Sequence, residues 1–148
     1  MRTSIALVLL VACEPPAPKH KPEKYVEHKR VMNLTMALPD GFTAHYNAIT
    51  DSWRFESAAT TVVFERTPEA SATSPDALRQ ALAIHDPIEN RRGIDDGFVT
   101  TFANGALYVV RQIYNHDWFR CVATVTSDEL RDEVIALCKS LERPRRSP

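Results

Sequence analysis

The dipeptide Asn104-Gly105 constrains the fold of this chain more than any other feature, because it separates two runs rich in β-branched and aromatic residues. Asn-Gly tolerates the positive φ angles of a type I′ turn, so it predicts a two-residue hairpin. Such a loop pairs Phe98–Ala103 with Ala106–Tyr114. It sets Ala103 opposite Ala106, Phe102 opposite Leu107 and Thr100 opposite Val109.

A second turn, at Asn115-His116-Asp117, is predicted to return Trp118–Thr126 as a third strand. A three-residue loop there would place Tyr114 opposite Trp118 and Arg111 opposite Cys121. Side chains alternate along each strand, so the meander has two faces. The first face collects Phe98, Thr100, Phe102, Leu107, Val109, Ile113, Phe119, Cys121, Ala123 and Val125. The second face collects Val99, Tyr108, Val110, Gln112, Tyr114, Trp118, Arg120, Val122 and Thr124.

The segment after the meander predicts a helix that covers the more apolar first face. Thr126-Ser127-Asp128-Glu129 is typical of a capping box, and the helix is expected to run to about Leu141. Its apolar stripe is Leu130, Val134, Leu137, Cys138 and Leu141. Packing this stripe on the first face brings Cys138 near Cys121. A disulfide between Cys121 and Cys138 is therefore predicted, and two buried free thiols are the alternative.

Earlier residues add strands and one more helix. Strands are predicted at Met32–Leu38, Thr43–Tyr46, Ser52–Glu56 and Thr60–Arg66, with a turn at Pro39-Asp40-Gly41. Ser74 and Pro75 are suited to the N-cap and first position of a helix. The apolar face of that helix is expected to be Leu78, Ala81, Leu82 and His85. Residues 31–143 therefore predict one α+β domain, an antiparallel sheet with helices packed on it.

The N-terminus does not belong to this domain. Ile5–Ala12 is an apolar run too short for a membrane span, which needs about 20 residues. With Arg2 before it, the run resembles a signal peptide. Leu10-Val11-Ala12-Cys13 resembles the lipobox of bacterial lipoproteins. This resemblance implies removal of residues 1–12 and lipidation of Cys13; an ordinary signal peptide with an incidental cysteine is the alternative.

A chain that begins at lipidated Cys13 would be exported and anchored to a bacterial membrane. Glu14 replaces the aspartate that favours inner-membrane retention in such lipoproteins, which favours the outer membrane facing the periplasm. Residues 13–30 are rich in proline and lysine and are expected to form an extended linker. Residues 144–148 are expected to be a disordered tail. The net charge of −1 argues against nucleic acid as a partner.

The run Leu34–Phe42, an alternating strand that ends in proline, a turn and an aromatic residue, resembles the opening of PsbP-like domains. The order of strands, helix, meander and closing helix over residues 31–143 is similar too. The resemblance implies a layered sandwich and a non-enzymatic accessory role. It carries no functional residues to this chain.

No motif indicates catalysis, a cofactor or a metal. Asp95-Asp96-Gly97 lacks the rest of an EF-hand loop and is interpreted as a turn. His85-Asp86 and His116-Asp117 have no accompanying nucleophile motif, and matched zinc ligands are absent from the sequence.

Tyr108, Gln112, Tyr114, Trp118 and Arg120 form a candidate partner-binding face, since tyrosine, tryptophan and arginine are enriched at interface hot spots. The alternative is that the earlier helix covers this face. The sequence therefore favours a lipid-anchored, non-catalytic domain that binds an envelope protein. A carrier of a lipid or small ligand, with a pocket between sheet and helix, is the second hypothesis.

Overall fold

The computed structural model describes residues 24–26, 34–114 and 117–142. Within these ranges the strands are β1 (Lys24–Val26), β2 (Leu34–Met36), β3 (Thr43–Asn47), β4 (Ser52–Glu56), β5 (Thr61–Thr67), β6 (Ile88–Ile94), β7 (Gly97–Phe102), β8 (Ala106–Tyr114) and β9 (Asp117–Thr124). The helices are α1 (Glu69–Ala72), α2 (Pro75–Ala81) and α3 (Asp128–Ser140). None of the helices described is long and apolar enough to cross a bilayer.

Seven of the strands form one antiparallel sheet in the order β3-β4-β5-β9-β8-β7-β6, and β1 pairs with β2. The α+β class is confirmed, as are the predicted strands in β3, β4 and β5. The predicted strand Met32–Leu38 is shorter in the structure, and residues 32 and 33 lie outside the described ranges. Asp95 and Asp96 form the turn between β6 and β7, as interpreted from the sequence.

The predicted register of β7 against β8 is wrong by one residue. Thr101 lies opposite Leu107 and Val99 opposite Val109. The loop has three residues, because the Gly105 N–H donates to the Phe102 carbonyl at 2.9 Å and Gly105 has a φ of 82°. A turn closed by a left-handed residue is the usual three-residue hairpin. A slip of one residue reverses a strand's faces, so Phe98, Thr100 and Phe102 lie on the second face, not the first.

The predicted register of β8 against β9 is wrong by two residues, which leaves the faces of both strands unchanged. Val109 lies opposite Cys121 and Arg111 opposite Phe119. The pairing is irregular between Gln112 and Tyr114. Residues 115 and 116 of the predicted turn lie outside the described ranges.

Helix α3 covers the first face of the sheet, as predicted. Its N-cap is Ser127, whose Oγ accepts a hydrogen bond from the Leu130 N–H at 3.1 Å. The predicted N-cap at Thr126 is therefore wrong by one residue. With Ser127 as the N-cap, the N3 position is Leu130 and not Glu129, so the predicted capping box is not formed. The whole predicted stripe is buried: Leu130, Val134, Leu137, Cys138 and Leu141. The Cys121 and Cys138 sulfur atoms lie at disulfide distance, with their Cα atoms 6.2 Å apart.

Helices α1 and α2 lie on the opposite side of the sheet. Ser74 is the N-cap of α2, as predicted, and its Oγ accepts from the Ala77 N–H at 3.1 Å. Leu78 is fully buried in a small cluster with Ala72, Phe98 and Val110. The prediction that Ala81 and His85 belong to the apolar face is wrong: both are exposed, because α2 ends at Ala81.

Candidate interaction surface

The sheet side that carries α1 and α2 is only partly covered by them. The two short helices contact β9 and β7, whereas most side chains of β3, β4 and β5 on this side are exposed or half-buried. Registers across the four strands place one row of residues side by side, with Arg54 opposite Val63 and Val63 opposite Val122. We call this area the open face, and it comprises His45, Arg54, Val63, Glu65, Arg120 and Val122.

An ion pair between Arg120 and Glu65 lies on the open face next to the area covered by α1 and α2, since Arg120 is paired across the sheet with the fully buried Val110. The Glu65 Oε1 atom accepts from Arg120 Nε at 2.8 Å and lies 2.7 Å from Arg120 Nη2. The side chains are 18% and 32% exposed, so both charges are partly removed from water. The pair is directly cross-strand, which fixes its position. A partner that covers it would desolvate a pre-oriented arginine fork, a frequent arrangement at binding hot spots.

The charges at the edge of the open face are arranged more loosely. Arg54 Nη1 and Glu56 Oε1 are 3.5 Å apart, and their side chains are 61% and 42% exposed. An exposed pair of this kind contributes little to stability. It is therefore available to reorient toward a partner.

The structure brings the described residues of the predicted partner-binding face to one side of the sheet. Gln112 is exposed, and Arg120 is half-buried in its ion pair. Tyr108 and Trp118 are half-buried and pack against the cluster beneath α1 and α2. The two aromatic rings thus border the covered area, while the side chain of Tyr114 lies outside the described part of the structure.

The local environments of the two aromatic residues fit this border position. Burial is the main cause that raises the pKa of Tyr108 above its usual value. The Trp118 Nε1 atom is buried and has no hydrogen-bond partner among the described residues.

Sequence reasoning missed Glu65 as a member of this surface. Glu65 and Arg120 are 55 residues apart, and the pairing of β5 with β9 joins two segments that no turn connects. Alternation along the strand at 60–66 places Glu65 on a face but does not identify its neighbour. A glutamate within a strand rich in β-branched residues is the one available signal.

A polar cluster lies on the other side of the sheet, beside the β3–β4 loop. The Tyr46 hydroxyl donates to Asp51 Oδ1 at 2.6 Å, and Asp51 Oδ2 lies 3.4 Å from Arg66 Nε. Arg66 also pairs with Asp117 at 3.0 Å. Burial first, and then the hydrogen bond to Asp51, raises the pKa of Tyr46 to about 12.

This environment predicts an effect of pH on Tyr46. We expect an alkaline titration followed at 295 nm to include one tyrosine with a pKa near 12, which is absent from Tyr46→Phe. The variant Asp51→Asn should lower that pKa, because it removes the carboxylate that repels tyrosinate. The folded-state pKa is raised, so its contribution to stability is present below about pH 10 and is lost between about pH 10 and 12. An unchanged titration curve in Tyr46→Phe would contradict the assignment.

The histidine–aspartate pairs noted in the sequence do not form a site among the described residues. His85 is exposed, and Asp86 accepts a hydrogen bond from Asn104 Nδ2 at 2.9 Å. Asp117 pairs with Arg66, and His116 lies outside the described ranges. Within those ranges no three His, Cys, Asp or Glu side chains are grouped to hold a metal ion.

Two regions of the structure bear on ligand binding, one open concavity and one packed layer. An open concavity of about 340 Å³ lies beside β3 and β4 and is lined by His45, Tyr46, Asn47, Arg54 and Glu56. It is open to solvent, and its lining is about equally polar and apolar. The space between the sheet and α3 is instead filled by core side chains, including the fully buried Phe119, Leu137 and Cys138.

Fold and surface together define an α+β domain with helices on both sides of a seven-stranded antiparallel sheet, one of whose sides is partly open. Protein-family models, curated proteins and solved structures were all compared with the chain, and none of them matches it.

Proposed function

We propose that this chain is an exported bacterial lipoprotein whose α+β domain binds an envelope protein through the open face and performs no catalysis. The observation that carries the proposal is the half-buried Arg120–Glu65 pair, held at 2.7 Å on the side of the sheet that α1 and α2 cover only in part. Open antiparallel sheet faces are normally polar and solvated. This one combines a fixed arginine fork with the half-buried Val63 and Val122 on adjacent strands.

The anchor is proposed from sequence, because residues 1–23 lie outside the described part of the chain. Leu10-Val11-Ala12-Cys13 supplies the lipidation signal, and the residues between Cys13 and β1 supply a linker shorter than the predicted 13–30, because Lys24–Val26 pair with β2. Three cysteines leave an even pair once Cys13 is acylated. The disulfide distance between the two remaining sulfur atoms is compatible with an oxidising compartment such as the periplasm.

We further propose that the domain is a PsbP-like sandwich. The order of elements supports this: strands β2 to β5, then α1 and α2, then β6 to β9, then α3. The turn after β2 contributes, since the Phe42 N–H donates to the Pro39 carbonyl at 3.2 Å and Phe42 is buried. An accessory role is what such a domain implies.

The alternative is a carrier of a lipid or small ligand. A carrier needs an apolar pocket that encloses most of its ligand. Packing between the sheet and α3 argues against a pocket there, and the concavity beside β3 is open to solvent. Protein binding is therefore the better supported of the two functions.

Crosslinking of the acylated protein in its native envelope, followed by mass spectrometry, tests the proposal. The informative variant is Val122→Glu, which places a charge on the open face next to Arg120. Its matched control is Ala136→Glu, which places the same charge on the exposed side of α3. We expect recovery of one specific protein to fall about tenfold or more in Val122→Glu, as at a hot spot, and to remain unchanged in the control.

Two results would overturn the proposal. Equal recovery of the same protein from both variants would show that the open face is not its binding site. Recovery of a lipid or small molecule, without any protein that depends on Val122, would support the carrier instead. Circular dichroism of both variants establishes that the fold is retained.

A further inference from the structure

We propose that the tip of the β3–β4 hairpin, residues 47–51, inserts Ile49 into the surface of a phospholipid bilayer and holds the sheet upright on the membrane. The inference rests on the proposed function for the lipid anchor alone, and it adds a second, protein-borne contact with the same membrane.

Ile49 is unusual among the described residues. Its side chain is 96% exposed, and it is the one large apolar side chain found fully exposed in those ranges. Its neighbours Ala48 and Thr50 are also exposed, so the whole tip protrudes into solvent. A single exposed apolar residue needs no explanation in general. The ordered loop that holds Ile49 in this exposed position does need an explanation.

The loop is fixed by its own side chains. Asn47 Oδ1 accepts from the Ile49 N–H at 2.9 Å and from the Thr50 N–H at 3.4 Å. Thr50 Oγ1 and Ser52 Oγ are 2.7 Å apart. Asp51 adopts a φ of 48°, an uncommon value for a residue other than glycine, and is retained there by Tyr46 and Arg66. A tip ordered before binding loses little conformational entropy when Ile49 is buried.

The C-terminal end of the described domain lies at the end of the sheet where this tip lies. Glu142 and Thr35 exchange two backbone hydrogen bonds, of 2.9 and 3.0 Å. The preceding Leu141 carbonyl accepts from Arg111 at 2.8 Å. Arg111 is level with Phe119 and Arg66 across β8, β9 and β5, and Arg66 pairs with Asp51 of the tip. Three strand spacings separate β8 from β4, about 15 Å in all.

This placement argues for a bilayer as the occupant. The linker from Cys13 reaches the domain at β1, the strand that pairs with β2, and Arg143, Arg145 and Arg146 come after Glu142 in the sequence. Basic segments next to a membrane are attracted to anionic headgroups. Asp51 and Asp117 share Arg66, which reduces the negative charge beside the tip. The tip itself has neither an aromatic residue nor an arginine, the residues typical of protein hot spots.

A nitroxide spin label at Ala48→Cys tests the insertion in the full, acylated chain reconstituted in vesicles of phosphatidylcholine and phosphatidylglycerol. Cys13 is acylated and the other two cysteines are oxidised. The introduced cysteine is therefore the one thiol that reacts with the spin-label reagent. The accessibility of the nitroxide to oxygen is compared with its accessibility to a water-soluble nickel complex. The ratio reports how deep the label lies in the bilayer. The control label is Thr61→Cys, an exposed site at the opposite end of the sheet.

We expect the label at position 48 to lie about 5 Å or more below the aqueous surface. Adding Ile49→Ser should return it to the aqueous value of the Thr61 control. Equal, water-like accessibility at positions 48 and 61 would overturn the inference. A label at 48 shielded from both reagents would also overturn it, in favour of contact with a second copy of the chain.

The anchor and the tip are tested separately. Intact mass of the same sample shows whether Cys13 carries an acyl group, and its absence contradicts the anchor alone. In that case the same labels are read in Cys13→Ser with added vesicles. Immersion of position 48 that depends on Ile49 then supports the tip, and water-like accessibility overturns it.

Discussion

Replacement of Arg111 by alanine is expected to lower the free energy of unfolding by about 3 kcal/mol, the range found when one partner of a buried ion pair is removed. The side chain is 11% exposed and lies 2.7 Å from Asp96 through Nη2. Its Nη1 atom donates to the carbonyls of Cys138, Lys139 and Leu141 at 2.8 to 3.0 Å.

These contacts make Arg111 the C-terminal cap of α3. The last carbonyls of a helix have no partner within it, and the negative end of the helix dipole favours a cation there. The alanine variant leaves those carbonyls and Asp96 unpaired at once. Arg111→Lys retains the charge but loses the planar fork, so we expect an intermediate loss.

Urea denaturation monitored by circular dichroism measures the effect. Arg54→Ala is the matched control, because the Arg54 side chain is 61% exposed in its ion pair, and we expect a change within about 0.5 kcal/mol. A loss in Arg111→Ala no larger than in the control would contradict the role assigned to this cap.

Removal of the cysteine pair has the second large expected effect. In Cys121→Ala/Cys138→Ala we expect the free energy of unfolding to fall by about 3 kcal/mol, because a closed loop of this length restricts the unfolded chain. The cysteines are 17 residues apart and join β9 to α3. Both side chains are buried, so their replacement also removes core contacts.

Thiol counting distinguishes the disulfide from two buried free thiols. Native protein unfolded in guanidinium without reductant should show no reaction of Cys121 or Cys138 with an alkylating agent. The same protein should react at both after reduction. Reaction before reduction would contradict the disulfide and leave only the packing loss in the double variant.

Local signals predicted the elements of the fold well. Ser74 and Pro75 begin α2, the apolar stripe of α3 is buried throughout, and β-branched runs locate β5 and β8. Each of these depends on residues within one or two turns of chain. The predicted proximity of Cys121 and Cys138 is correct, because a register error of two residues between β8 and β9 leaves every side chain on its predicted face of the sheet.

Errors arose where one residue decides between two geometries. Asn104-Gly105 is compatible with a two-residue or a three-residue loop, and the choice reversed every side chain of β7. The candidate site depended on more distant information. Glu65 meets Arg120, and Arg111 meets the end of α3, through pairings whose partners are far apart in sequence. Periodicity assigns such residues to a face but not to a neighbour.

The single pairing of β5 with β9 has a consequence for how the domain folds. On one side of it, β3, β4 and β5 follow one another through short loops, and on the other side β6 to β9 do the same. The two halves can therefore form from local contacts, whereas their union must close a loop of about 55 residues. Closure of long loops slows folding. Until it occurs, the edges of β5 and β9 are unpaired strand edges that invite aggregation, and newly made chains carry this risk before the sheet is complete.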